Sequence, residues 1–185
     1  MIQYKLCKVF NENKSEIIKK LDVIYGVENL CFISDNIIGI SYVYGSKNYK
    51  HILKSIMKLK MSQVIITSNI FTKLLNYSID NNYFITHISF LDSISVEDKE
   101  FVNHQINLLN REGNLISKVK LKNILNNELQ WLTSDGGIDI KSMVLTIKME
   151  SGLYSNISIY NNGVLLIDNV LIMDELIKLI RFVVV

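Results

Sequence analysis

The stretch IDIKSMVLTIKMESGLYSNISIYNNGVLLID, residues 138–168, decides the fold class. Ile138 and Ile140, then Met143, Leu145 and Ile147, then Ile157 and Ile159 recur at every second position, the period of a strand with one buried face. Ser151-Gly152 and Asn161-Asn162-Gly163 interrupt the runs, and Asn-Gly before a β-branched residue is a strong hairpin signal. The pattern predicts a three-stranded meander over 138–149, 153–160 and 164–168. A helix over 171–180 follows it. Residues 182–185 read either as that helix's last turn or as a terminal strand, which would complete the sheet or offer an edge to a second copy of the chain.

Upstream, Thr133-Ser134-Asp135-Gly136-Gly137 is a loop. Residues 115–132 carry two patterns: Ile116, Val119 and Leu121 suit a strand, whereas Leu121, Ile124 and Leu125 suit a helical turn. Trp131, the sole tryptophan, reads first as a core anchor beside Leu129 and Leu132, with a surface hot spot as the alternative. Ser95 with Asp98 three residues on predicts an N-cap. The helix it opens presents Val102, Ile106 and Leu109 inward and stops by Gly113.

The first half opens with a strand over 1–10. Asn13-Lys14-Ser15-Glu16 is a capping box, and Ile17, Ile18, Leu21 and Ile24 place a helix over 14–25, ended by Gly26. Residues 30–34 and 37–44 flank Asp35-Asn36 as a hairpin, with positive backbone φ expected at the turn. A second helix runs from 47 to 59. Val64-Ile65-Ile66 suggests a short buried strand, Ser68 a helix cap, and residues 83–90 a further strand. The fold class is therefore α+β: a mixed, mainly antiparallel sheet with hairpins and about five helices. No linker separates the halves, so the expectation is one domain over 1–185, with a soft division into 1–92 and 93–185.

Composition narrows function by exclusion. With 185 residues, 49% of them hydrophobic, the chain has the means for a core and is neither disordered nor collagen-like. A net charge of +2 gives no global attraction to nucleic acid or membrane. Asp168, Asp174, Glu175, Lys178 and Arg181 break the most apolar segment, 163–185, so it is not a membrane span. Residues 1–10 lack a cleavage motif, and cytoplasm is the expected location. Cys7 and Cys31 read as two buried free thiols, with a single bridge between them as the alternative. Abundant Ile, Asn and Lys with no Ala or Pro point to an AT-rich genome, such as a low-GC bacterium or a mobile element.

Lys47, Lys50, Lys54 and Lys58 recur at three- and four-residue spacing, so they share one helix ridge. Lys60 and His51 adjoin it, and residues 47–60 hold no acid. Such a ridge suits phosphates or an acidic protein partner; a merely solvated face is the plainer reading. Asp139-Ile140-Lys141 after Asp135 resembles the acidic-x-Lys element of metal-dependent nucleases, which would hold a divalent ion and activate water. Glu12-Asn13-Lys14 and Glu97-Asp98-Lys99 repeat that triplet, the Asp135 spacing is short, and the preceding Pro is missing. His51, His87 and His104 form no ligand pair, and no nucleophile elbow or phosphate loop is present. No catalytic residue, metal or cofactor is assigned. The expected function is a non-catalytic protein-interaction module, for example an immunity, antitoxin or defence accessory protein. A nucleic-acid-binding protein using 47–60 is the alternative, and a metal-dependent nuclease the third reading.

Overall fold

The computed structural model describes residues 1–10, 14–43, 48–149 and 151–184. Its eight strands pair antiparallel wherever their register is defined, and six α-helices accompany them among those residues. The α+β class expected from the sequence is observed. The chain forms two compact units: residues 1–66 with 162–185, and residues 67–161.

In the first unit, β1 (Ile2–Lys8) is central. Along one side it pairs with β3 (Ile37–Tyr42), which pairs in turn with β2 (Leu30–Phe32). Along the other side it pairs first with β8 (Val164–Ile167) and then with β4 (Ser62–Gln63). Being interior, β1 carries four consecutive buried residues, Tyr4 to Cys7, as a strand covered on both faces must. Three helices complete the unit: α1 (Lys14–Tyr25), α2 (Asn48–Lys58) and α6 (Met173–Val184). The bounds of α1 match expectation, although Asn13 of the capping box lies outside the described residues, as do residues 44–47. The terminal segment is helical through Val184, not a strand.

Two short-range expectations in this unit are corrected. Residues 64–66 are not a strand: the ladder with β1 is confined to Ser62 and Gln63, and beyond it only the Val64 amide reaches β1, donating to the Leu6 carbonyl at 3.2 Å. Val64 and Ile66 are nevertheless buried. The β2–β3 connection is a wider loop over 34–36, closed by the Ile33 amide on the Ile37 carbonyl at 3.0 Å. Neither Asp35 nor Asn36 has positive φ, because the extra residue removes the need for a primed turn.

In the second unit, β6 (Ile140–Lys148) lies between β5 (Phe84–Phe90) and β7 (Tyr154–Tyr160). One sheet face is polar: Thr86, Thr146 and Asn156 are joined by hydrogen bonds of 2.8 and 2.6 Å. The opposite face supplies Ile85, Ile88, Met143, Leu145, Ile157 and Ile159 to the core. Helices α3 (Ser68–Asp80), α4 (Val96–Arg111) and α5 (Leu115–Gln130) supply the rest. Ser95 caps α4 as expected, its hydroxyl accepting from the Asp98 amide at 3.0 Å. The cap of α3 is Thr67 rather than Ser68. Residues 115–130 resolve as a helix, followed by one π turn over Trp131–Asp135.

Candidate functional site

The lysine ridge is present where it can be followed. In α2, Ile52, Ser55 and Ile56 are buried, which turns Lys50, Lys54 and Lys58 outward, all exposed. None of the three forms an ion pair among the described residues. Lys47 lies outside them. Met57, beside the ridge, is 80% exposed. The inner flank is polar and ordered: the Tyr25 hydroxyl donates to Ser55 Oγ at 2.8 Å and lies 3.4 Å from His51 Nδ1. Burial raises the Tyr25 pKa, and the Ser55 bond pulls it partly back. α2 thus carries three cations in a row that no ion pair neutralises among the described residues.

A second surface was hidden in the ambiguous segment 115–132. α5 faces α3 through Lys122, which bonds Asp80 at 2.7 Å, and Asn126, which bonds Asn76 at 2.8 Å. Leu125 and Leu129, on the same side, are fully buried. Away from these residues, Ile116, Ile124 and Trp131 are exposed by 71, 43 and 51%, while Val119, on the flank shared with Lys122 and Asn126, is exposed by 55%. Ile116, Ile124 and Trp131 fall within one stripe of a helix. α4 packs beside α5, with Phe101 and Leu108 both exposed by 38%. Trp131 is therefore not the core anchor expected from its neighbours: the helix continues through it, and the core position passes to Leu132, which is 1% exposed. The signal for this surface was available, since apolar residues occupy every side of α5. Such a helix is either wholly enclosed or has an outer face awaiting a partner.

The Asp139-Ile140-Lys141 triplet stands on the entry to β6. Asp139 accepts a hydrogen bond from Ser68 Oγ at 2.8 Å, and that same oxygen receives the Ile140 amide at 3.1 Å. The carboxylate is thus tied to the start of α3. Among the described residues, no three His, Cys, Asp or Glu side chains converge as metal ligands would. His51, His87 and His104 lie on α2, β5 and α4. Cys7 and Cys31 are free and buried, and burial raises their thiol pKa values to about 12 and about 11. They are therefore protonated at neutral pH, the opposite of an activated nucleophile. No helix is long and apolar enough to cross a membrane among the described residues. Comparison with protein-family models, curated proteins and solved structures found no match.

Proposed function

We propose that the chain is a non-catalytic protein-interaction module whose contact surface is the outer face of α4 and α5. The observation that carries this reading is the exposed stripe of Ile116, Ile124 and Trp131 on α5, with Phe101 and Leu108 exposed on the neighbouring α4. Isolated apolar residues on a surface mean little, but several exposed on paired helices suit a protein partner, and tryptophan is among the residue types that most often dominate binding energy. The partner presents a complementary apolar face. In a low-GC bacterium or mobile element, such a role fits an immunity, antitoxin or defence accessory protein.

The test compares affinity capture by the wild-type chain and by the double variant Ile124→Ser, Trp131→Ser. A partner retained by the first and lost by the second, with unchanged circular dichroism, is expected. Identical capture by both would overturn the assignment to this face.

A second reading rests on α2. Three outward lysines that form no ion pair among the described residues suit a phosphate backbone, and binding should weaken with salt by a log–log slope of about −0.9 per phosphate neutralised on duplex DNA. Fluorescence anisotropy of labelled DNA and RNA at two salt concentrations tests it. Charge reversal in Lys50→Glu, Lys54→Glu should abolish the signal, and unchanged affinity would retire the reading.

A further inference from the structure

We infer that the first unit contains a binding site for a small molecule joining an anionic group to a planar ring, the chemistry of a nucleoside monophosphate. A cavity of about 780 Å³ opens among α1, the β2–β3 hairpin and α6, a size typical of ligand sites. Its walls come from three distant parts of the chain and divide chemically into a cationic side and an apolar side.

Arg181 and Lys14 form the cationic side. Arg181 is one of only two arginines beside eighteen lysines. Its Nε donates to the Ile33 carbonyl at 2.9 Å, which fixes the guanidinium plane. The terminal nitrogens have no protein acceptor among the described residues, and held in this way they match two oxygens of a phosphate or carboxylate. Lys14 contributes the second cation. Its ion pair with Asp35 spans 3.6 Å and the Asp35 carboxylate is fully exposed, so that contact competes weakly with an incoming anion. Asp35 leaves the lining with one net positive charge.

Phe32, Ile18 and Ile38 form the apolar side. Phe32 is 43% exposed although it belongs to β2, which leaves an aromatic ring available inside a concave wall. Aromatic side chains in such positions stack on planar bases with little regard to sequence. Ser34 Oγ donates to Asn36 Oδ1 at 3.1 Å and braces the loop between the two sides. A concave site of this volume favours one nucleotide over a polymer, whose backbone the open lysine ridge suits better.

Calorimetric titration of the full chain with AMP, adenosine and inorganic phosphate tests the site. AMP should bind more tightly than either fragment. Arg181→Gln should weaken AMP at least tenfold and leave adenosine unchanged, whereas Phe32→Ser should weaken AMP and adenosine and leave phosphate unchanged. Arg181 also holds a backbone carbonyl, so Lys14→Gln, which removes no such bond, provides an independent loss of AMP affinity. No AMP binding at millimolar concentration, or equal AMP affinity in wild type and Lys14→Gln, would overturn the inference.

Discussion

Lys5 occupies the middle of β1, fully buried, and its ammonium donates to the Asn162 carbonyl. No carboxylate forms an ion pair with it among the described residues. Burial therefore pulls its pKa below the ordinary 10.5, while the neighbouring Cys7 pushes weakly the other way. Desolvating an unpaired cation costs several kcal/mol, against about 1.5–3 kcal/mol recovered from one charged hydrogen bond. Desolvation wins. Lys5→Met, similar in shape and apolar, should raise the unfolding free energy at pH 7 by about 1–3 kcal/mol, read from urea denaturation; a lower value would show that the Asn162 bond dominates. The pH dependence follows by linkage. Between the lowered native pKa and 10.5 the unfolded chain binds the Lys5 proton better, so stability rises with pH there and the rise vanishes in Lys5→Met. Cys7 acts oppositely: its contribution is complete below 9.0 and lost as pH climbs toward about 12. None of this was legible in the sequence, where Lys5 merely interrupts an apolar run. A lysine inside a strand announces burial only once both neighbouring strands are known.

α1, α2 and α4 were legible because each has one apolar stripe and one polar face, and α4 also shows its cap. α5 was not, since Ile116, Ile124 and Trp131 on one side cancel Leu125 and Leu129 on the other, leaving no preferred direction. Tertiary structure alone separates the two sets. Adjacent residues therefore make the sharpest test at this scale. Leu125→Ala should cost about 2–5 kcal/mol, the usual range for emptying a packed leucine site, whereas Ile124→Ser should stay within about 0.5 kcal/mol. Thermal and urea unfolding of both variants measures the contrast. A large loss in Ile124→Ser would mean that the outer face is itself covered by this chain and is not a contact surface. The lysine ridge was the reverse case: its spacing located Lys50, Lys54 and Lys58 on the outer side of α2 correctly, because charge repels burial wherever the helix lies.

At the scale of the whole molecule, the boundaries after Ile66 and Asn161 leave no trace in composition. The first falls immediately before Thr67, the cap of α3, and the second inside the Asn161–Gly163 turn. The units are separated by their contacts, not by a linker. Their connectivity nevertheless has a testable consequence. The first unit is completed by β8, so residues 67–161 are an insertion between two segments that already meet. The Leu6 amide donates to the Gly163 carbonyl while its own carbonyl accepts from the Val64 amide. Val64 and Gly163 are so close that a Cβ on Gly163, whose φ is 71°, would strike the Val64 carbonyl oxygen. A linker of about four residues, reaching roughly 13 Å when extended, is therefore long enough to join Ile66 to Asn162. Each part has the size of a domain that folds alone. The spliced chain and the isolated segment 67–161 should both give dispersed amide spectra and cooperative unfolding, and cross-strand contacts between β1 and β8 should survive the splice. Collapsed dispersion in the spliced chain would show that the first unit depends on residues 67–161 to hold β8 against β1, and the insertion would then be part of one cooperative fold.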